Sequence, residues 1–144
     1  MCQCYNVSLQ DAPDPQDVRT VKEGLRAYNR LHAPDDDYQP LTVFARTAER
    51  TLVGGLLGAT YWGWLCIDVL WIKEGARRRG LGERLLVEAE RVALRRGCRY
   101  AHVDTMSFQA LPFYERHGYA VFGVLDDLPD GHCRYFLKKE LRPG

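Results

Sequence analysis

The sequence predicts a mixed α/β fold in which a mostly antiparallel central sheet is flanked by helices. Two apolar helical faces, one beginning at Pro15 and one at Leu81, enclose three stretches that are rich in β-branched and aromatic residues. Another strand pattern follows the second helix, and a strand–helix–strand crossover of this length joins parallel neighbours. We therefore expect one parallel pair within the sheet.

Length and composition indicate a single compact unit. With 144 residues, of which 46% are hydrophobic, the chain is predicted to form one domain spanning residues 1–144. The net charge is +1, so a general affinity for nucleic acid or anionic lipid is not expected.

The N-terminal residues and the cysteines indicate the cellular compartment in which the protein is expected. The start, "MCQCYNVSLQ", lacks the basic and apolar regions of a signal peptide, and no apolar run approaches the ~20 residues of a membrane span. We therefore expect a cytoplasmic protein with no membrane partner. The five cysteines are an odd number without C-x-x-C spacing, which argues against a disulfide framework and against a metal site.

One strand and one helix are predicted near the N-terminus. The stretch "CYNVSL" alternates weakly, which indicates a first strand with Cys2 and Cys4 on one face, before the turn-forming "QDAPDP". A helix should begin at Pro15 and end at "HAPDDDYQP", since apolar residues recur there at spacings of three or four. Those residues are Val18, Val21, Leu25, Tyr28 and Leu31.

An antiparallel meander should follow. The stretches "LTVFAR", "TLVGGLLGATYW" and "GWLCIDVLWI" are β-branched, aromatic and punctuated by glycine. Turns are expected near residues 48–50 and near Gly63.

The C-terminal half is predicted to alternate helices and strands. Leu81, Leu85, Ala89 and Val92 share one helical face, and "RRG" at 95–97 is typical of a helix C-terminus. Next come a strand in "CRYAHVDT" and a short helix in "SFQALPFYERHG", interrupted by its proline. A final pair, "YAVFGVL" and "CRYFLKKEL", is linked by "DDLPDGH".

The stretch "GARRRGLGERLL", residues 75–86, predicts a phosphate-binding loop. It places three arginines and two closely spaced glycines immediately before the second helix. A helix N-terminus leaves backbone N–H groups unpaired and carries a partial positive charge, and glycines let a ligand approach the backbone. Guanidinium groups also match phosphate oxygens.

Two other phosphate-binding loops fit less well. Gly75 and Gly80 have the glycine spacing of a P-loop, but Leu81 and Gly82 stand where Lys-Ser/Thr is required. A dinucleotide fingerprint would need glycine at position 85, which is Leu, and would follow the first strand rather than the fourth. The residues thus argue against nucleotide hydrolysis and against dinucleotide binding.

Two motifs in order resemble those of one family. Arg77, Gly80 and Gly82 form Arg-x-x-Gly-x-Gly, and "FYERHGY" follows at 113–119. The stretch from about Leu70 to Tyr119 resembles the GNAT superfamily of acyl-CoA-dependent N-acyltransferases, whose signatures are Gln/Arg-x-x-Gly-x-Gly/Ala and Phe-Tyr-Glu-x-x-Gly-Phe/Tyr. The N-terminal half agrees with this family in pattern only.

This resemblance implies acetyl-CoA as co-substrate and a GNAT-like sheet whose parallel pair splays at the coenzyme site. Loop amides would bind the pyrophosphate, arginine side chains would reach the phosphates, and the pantetheine arm would lie beside the strand that ends "LWI". The implied coenzyme contacts are Leu70, Trp71, Ile72, Arg77, Arg78, Arg79, Gly80, Leu81, Gly82 and Ser107.

The last of these contacts departs from the family pattern. Many members have asparagine seven residues before the motif tyrosine, where it helps to hold pantetheine, and this chain has Ser107 there. The contact is then either a shorter one from Ser107 or one supplied by Gln109.

The resemblance implies that Tyr114 is the general acid that protonates the departing thiolate. The alternative is a helix tyrosine packed against the core beside Phe113, and Pro112 is expected to shift the helix axis.

A general base is also needed, because amine acceptors are largely protonated near neutral pH. Asp68 is the first candidate, since it lies on the strand that leads into the coenzyme site, on the same alternating face as Leu70 and Ile72. It could instead be satisfied by a neighbouring hydroxyl or arginine. His102 and Asp104, on the next strand, are the other candidates.

The resemblance implies an N-acetyltransferase that acts by direct attack of a primary amine, on a small molecule or a peptide. The acceptor site would include "YNRLHAPDDDY" and "LDDLPDGHCRY", whose acidic residues suit a cationic amine, or are merely solvated turn residues. The acidic residues are Asp35, Asp36, Asp37, Asp126, Asp127 and Asp130. The aromatic residues that would wall the pocket, or else belong to the core, are Tyr38, Tyr61, Trp62 and Trp64.

Other function classes stay open at this point. A non-catalytic acyl-CoA sensor would keep the loop and lack a working proton donor. An RNA-binding module is disfavoured, and no nucleic-acid partner is expected, because Glu83, Glu88 and Glu90 interrupt the arginine-rich helix face and no aromatic residues interleave it. A homodimer is left open.

Overall fold

The computed structural model describes residues 2–143, with nine longer elements and one short 3₁₀ turn at Glu74–Ala76. The elements are α1 (Pro15–His32), β1 (Gln39–Arg46), β2 (Leu52–Tyr61), β3 (Trp64–Ile72), α2 (Leu81–Arg95), β4 (Tyr100–Met106), α3 (Leu111–Arg116), β5 (Ala120–Asp126) and β6 (Cys133–Glu140). The chain divides into two compact units, residues 1–35 and residues 36–144, which are described separately.

The first unit contains the predicted helix α1. The Asp14 carboxylate accepts a hydrogen bond from the Gln16 amide at 2.8 Å, and Pro15 takes the first helical position, where its missing N–H costs nothing. The predicted first strand is wrong, because residues 2–10 have no strand structure and Cys2 and Cys4 therefore share no strand face. Weak alternation does not make a strand unless a neighbouring strand takes up its hydrogen bonds.

The second unit is built on a six-stranded sheet in the order β1-β2-β3-β4-β6-β5. All neighbours are antiparallel except β3 and β4, which are parallel. The predicted meander is confirmed as β1–β2–β3, and Trp62 and Gly63 have the positive φ values that a tight two-residue hairpin turn requires. The predicted final pair is confirmed as the β5–β6 hairpin, with β6 beside β4.

Helix α2 covers one face of this sheet, as its apolar spacing predicts. Its buried residues pack with strand residues into one cluster, and Arg96 just beyond its end donates to the Pro40 carbonyl and the Thr60 hydroxyl, each at 3.1 Å. Gly97 then ends the helix with a φ of 86°. The central cluster includes Leu56, Leu65, Ile67, Leu85, Leu86, Ala89, Ala93, Ala101, Val103 and Leu137.

Helix α3 differs from its prediction. Proline does not interrupt it, since the helix begins at Leu111 and Pro112 lies in its first turn, where no N–H donor is needed. Residues 107–110 form a turn instead, in which the Gln109 amide donates to the Met106 carbonyl at 2.9 Å.

The parallel pair is short, and this positions the site. Strand β3 pairs with β4 only over Trp64–Ile67 and Tyr100–Val103, and beyond that the strands part. On its other side β3 carries a bulge, because Leu57 pairs with Val69 and Gly58 with Ile67, which leaves Asp68 without a partner on β2. The predicted splayed pair is thus confirmed. No helix within residues 2–143 is long and apolar enough to cross a membrane.

Candidate active site

A cleft of about 680 Å³ lies where β3 and β4 separate. One wall is the last half of β3, Asp68 to Ile72, and the opposite wall is the end of β4 with the turn that follows it. Arg77 and Gly82 also line the cleft, and Phe113 and Tyr114 of α3 complete the lining. The cleft therefore exposes the unpaired main chain of β3 to a ligand.

The arginine-glycine loop lies between β3 and α2. Gly80 precedes α2 in a left-handed conformation, with a φ of 74°, and no side chain caps the first turn, so its amide groups stay available. A Cβ placed on Gly80 would meet no atom within 4 Å, so open space adjoins this backbone. The Arg77 Nε donates to the Ile72 carbonyl at 3.0 Å, which ties the loop to the end of β3.

Tyr114 is both packed and accessible. Only 4% of the residue is exposed, and its ring contacts Phe113 and Tyr119 at centroid distances of 5.2 and 5.6 Å. Within residues 2–143 no fully buried side-chain oxygen lacks a hydrogen-bond partner, and since Tyr114 makes no side-chain hydrogen bond, its hydroxyl keeps some exposed surface. The residue lines the cleft. Burial, and then the negative charge of Asp104, raise the pKa of Tyr114 to about 12.

Asp68 lies elsewhere on β3 than the alternation predicts. Leu70 and Ile72 pack against the central cluster, whereas the Asp68 carboxylate accepts a weak bond, at 3.5 Å, from the thiol of Cys66. The predicted common face is therefore wrong, because the bulge inserts one residue and shifts the alternation beyond it. Asp68 is exposed and still lines the cleft.

The groups around Asp68 are titratable and partly buried. Burial first, and then Asp68, raise the pKa of the Cys66 thiol to about 11. Burial lowers the pKa of His102, although Asp68 and Asp104 oppose this, so the imidazole favours its neutral form. The His102 Nε2 lies 3.4 Å from the hydroxyl of Tyr61.

The other two candidate bases are less free than Asp68. Asp104 lines the cleft, but its carboxylate pairs with the guanidinium of Arg134 at 2.8 and 2.9 Å. His102 is held between Tyr61 and Trp64, whose ring lies 5.7 Å from its own. The Asp68 carboxylate has the weakest such restraint of the three.

Ser107 and Gln109 point in different directions. The Ser107 hydroxyl accepts from the Cys133 amide at 3.1 Å and lies 3.2 Å from the Nδ1 of His132, so it is tied to the start of β6. Gln109 lines the cleft, and its Oε1 accepts from the Met106 amide at 2.8 Å and from the Thr105 hydroxyl at 3.3 Å. Its Nε2 donor is thereby left for a ligand.

The proposed acceptor residues are only partly brought together. Within the second unit Tyr38 stacks on Tyr61 at 6.1 Å, and Trp64 stacks on Tyr100 at 4.8 Å. The segment "YNRLHAPDDDY" lies largely in the first unit, so the two-segment acceptor site stays a prediction.

Sequence reasoning missed part of the cleft and of a smaller hollow beside the loop. Phe108 and Ala110 line the cleft, and Arg116 and His117 line the hollow. Arg116 and His117 stand inside the "FYERHGY" motif, at its variable positions, so the motif alone gave no signal for them.

Comparison with known proteins adds independent information. The sequence profile of the Acetyltransferase (GNAT) family matches residues 4–119. A blasticidin-S acetyltransferase of Streptomyces morookaense is 44% identical over 81% of this chain and 88% of that protein. An acetyltransferase of Agrobacterium fabrum is 35% identical over 93% of this chain and 98% of that protein. A crystal structure of an acetyltransferase from Bacillus cereus has a TM-score of 0.84 and 32% identity, and covers 93% of this chain and 98% of that one.

The matched region includes the structural features described above. It contains the arginine-glycine loop, the splayed pair and the "FYERHGY" motif, and the crystal structure has the same fold over nearly its whole length. The chain therefore belongs to the GNAT family of acetyltransferases.

Proposed function

We propose that the protein transfers the acetyl group of acetyl-CoA to a primary amine of a small molecule or peptide by direct attack. The observation that carries this proposal is the cleft itself, in which an accessible phenol, an exposed carboxylate and an unpaired strand end face one space beside the arginine-glycine loop. Family membership supports the acetyl transfer.

The residues present suit the coenzyme. The uncapped first turn of α2 offers amide donors for the pyrophosphate, and the guanidinium groups of Arg78 and Arg79 supply positive charge beside it. Residues 70–72 of β3 have no partner on β4, so the main-chain groups on that side, apart from the Ile72 carbonyl that Arg77 already uses, are available to an extended pantetheine arm, which can bind as an added strand does. When bound, acetyl-CoA supplies the thioester that the amine attacks.

Asp68 is proposed to take the proton from the attacking amine, directly or through one water. Its carboxylate is exposed in the cleft and has only the weak thiol bond as a restraint, so it can also attract a cationic acceptor before the reaction.

Tyr114 is proposed to stabilise the leaving thiolate. An ordinary thiol has a pKa of about 8.5, well below the pKa of about 12 for this phenol, so complete proton transfer to a free thiolate is uphill. The hydroxyl therefore acts chiefly as a hydrogen-bond donor to sulfur as negative charge develops, and its raised pKa keeps it protonated for that purpose.

The acceptor is proposed to be a small molecule with a primary amine. The blasticidin-S acetyltransferase is 44% identical to this chain, which places that antibiotic first among the compounds to test. Cationic peptides and polyamines come next, because Asp68 puts an exposed carboxylate into the cleft.

The decisive experiment is a panel of amines incubated with acetyl-CoA. The panel contains blasticidin S, a polyamine, a lysine peptide and a peptide whose only amine is its N-terminus, with an amine-free control for hydrolysis. Thiol release that depends on the amine, together with an acetylated product in the mass spectrum, is the expected result for at least one compound. Binding of acetyl-CoA without turnover on any of them would favour the sensor.

Coenzyme binding can be measured separately. Acetyl-CoA at a hundredfold excess over its dissociation constant should stabilise the folded protein by about 2.7 kcal/mol in thermal unfolding. CoA should act likewise, whereas ATP and NAD at the same concentrations should have much smaller effects. Equal shifts with ATP would contradict the coenzyme assignment.

A further inference from the structure

The turn at residues 107–110, which follows β4, is hydrogen-bonded to the connection between β5 and β6. The Ser107 amide donates to the Cys133 carbonyl at 2.8 Å, and the Cys133 amide donates back to the Ser107 hydroxyl at 3.1 Å. Because this hydroxyl accepts from an amide, its single hydrogen is free to bond the Nδ1 of His132, which lies 3.2 Å away. The serine that departs from the family pattern thus joins the β4 turn to the β5–β6 loop.

Phe108, the next residue of this turn, contacts the same histidine. Phe108 lines the cleft, is 57% exposed and does not belong to the central cluster. Its ring lies 4.9 Å from the His132 ring, with the two planes at 76°. Since a side chain this exposed has no core packing to fix its orientation, we infer that the contact with His132 fixes it.

His132 is itself held by the main chain of the β5–β6 loop. Its amide donates to the Pro129 carbonyl at 2.8 Å, and its carbonyl accepts from the Leu128 amide at 3.3 Å. None of residues 126–132 lines the cleft, but Phe108 does. The β5–β6 loop therefore influences the cleft through His132 and Phe108.

Charge favours the acceptor over the coenzyme as the ligand that meets Phe108. Exposed Asp68 lines the same cleft. The loop that holds Phe108 carries further exposed acids, which are Asp126, Asp127 and Asp130. The loop assigned to the coenzyme phosphates carries three arginines, at 77–79, instead. An anionic coenzyme is therefore attracted to one loop, and a cationic amine to the other.

An aromatic face and a carboxylate in one cleft suit an ammonium group. The face of a phenyl ring attracts a cation through its quadrupole, and the Asp68 carboxylate attracts the same charge. We propose that Phe108, positioned by His132, contacts the acceptor and selects a cationic amine, an inference that rests on the acetyl transfer proposed above. Phe108 determines specificity, and His132 is a positioning residue that acts through Phe108.

Steady-state turnover of each amine in the panel, at saturating acetyl-CoA and with the full chain, tests the role of Phe108. Phe108→Leu keeps an apolar side chain and removes the aromatic face, so the KM of a cationic amine should rise about 3- to 30-fold. The kcat and the calorimetric affinity for acetyl-CoA should not change. Phe108→Tyr keeps the aromatic face and should keep the original KM. Phe122→Leu is the matched control, because Phe122 is 58% exposed on β5 and does not line the cleft.

A double-mutant cycle tests whether His132 acts through Phe108. His132→Asn provides a side-chain oxygen that can accept from Ser107 but loses the ring, whereas His132→Phe keeps a ring and loses the acceptor. Each should raise the KM of the amine by less than Phe108→Leu does. In the Phe108→Leu background neither should raise it further. Additive effects would show that His132 acts independently, and the positioning role would be lost.

The outcomes separate this inference from the proposed function. Turnover with an unchanged KM in Phe108→Leu would overturn the inference and leave the acetyl transfer standing. An equal loss of acetyl-CoA affinity in that variant would assign Phe108 to the coenzyme and would also overturn the inference. The absence of turnover with every amine would overturn the proposed function, and this inference with it.

Discussion

The two halves of β3 are consecutive in sequence but have different roles in the structure. Residues Trp64–Ile67 pair with β4, and Leu65 and Ile67 are buried in the central cluster. Residues Asp68–Ile72 have no partner on β4 and form a wall of the cleft. A single bulge opposite Gly58 divides them. The comparison teaches that one strand holds the fold together with its first half and presents its backbone to a ligand with its second.

Tyr114→Phe is expected to have the largest effect, which is on turnover. Tyr114 lines the cleft beside the second half of β3. The ring and its packing against Phe113 and Tyr119 are retained, so stability and acetyl-CoA affinity should change little. Loss of the hydroxyl should lower kcat by roughly 10²- to 10³-fold, as is typical when a hydrogen-bond donor to developing negative charge is removed. Steady-state turnover with the acceptor found in the panel, alongside calorimetric binding of acetyl-CoA, measures both quantities.

The pH profile checks the same residue. Because the pKa of Tyr114 is raised to about 12, the phenol stays protonated throughout the ordinary assay range, and turnover should show no alkaline fall caused by it below about pH 11. An alkaline fall near pH 9 that disappears in the phenylalanine variant would contradict the raised pKa. Equal losses of binding and rate in that variant would make Tyr114 a packing residue.

Leu65→Ala and Trp71→Ala compare how much each half of β3 contributes to the stability of the fold. Leu65 has no exposed surface, so its truncation should lower the free energy of unfolding by about 2–5 kcal/mol. Trp71 is 48% exposed on the open half, and its truncation should cost within about 1 kcal/mol. Urea unfolding of the two variants gives the comparison directly, and similar losses would mean that both halves support the fold equally.

Gly58→Ala addresses the boundary between the halves. A Cβ on Gly58 would overlap the carbonyl oxygen of Cys66, and because that atom belongs to the main chain, the backbone must move to relieve the contact. We expect a loss of about 1–3 kcal/mol in the free energy of unfolding. Gly75→Ala is the control, because its Cβ meets nothing within 4 Å and the change should stay within about 0.5 kcal/mol. A stable Gly58→Ala protein would show that the bulge adapts without cost.

Gln109→Glu is expected to have the smallest effect of these changes. Gln109 lies on the wall of the cleft opposite the second half of β3. Glutamate keeps the acceptor oxygen that the Met106 amide and the Thr105 hydroxyl use, but it replaces the Nε2 donor. Acetyl-CoA affinity should fall roughly tenfold, while the affinity for adenosine 3′,5′-bisphosphate, which lacks pantetheine, should not change. Ser107→Ala is the comparison, and a larger loss there would assign the pantetheine contact to Ser107.

Local signals in the sequence predicted most of the framework. Within each of α1 and α2, the residues at the helix ends and the apolar residues that predict the helix are close in sequence. The residues that form the turns of the meander are equally close, so both signals can be recognised without knowing the tertiary structure. Pro112 was misread because a proline inside a helix and a proline in its first turn look alike until the helix start is known.

The sequence predicted which residues form the candidate site, but only partly how their side chains are arranged. The loop glycines and Tyr114 follow from motifs whose residues are close in sequence. The face of β3 on which Asp68 lies does not follow from a motif. It depends on the bulge in the pairing of β3 with β2, opposite Gly58, which is ten residues away in sequence. The orientation of Ser107 likewise depends on Cys133 and His132.

By itself, the sequence determined the fold class, the two main helices, the meander and the arginine-glycine loop, because periodicity, capping and turn chemistry act over a few neighbouring residues. Only the tertiary structure decided where β3 leaves β4, which side chains enter the cleft, and that Arg116 lies beside the loop. These features depend on contacts between segments about 10 to 40 residues apart, whose register is set by packing rather than by local preference.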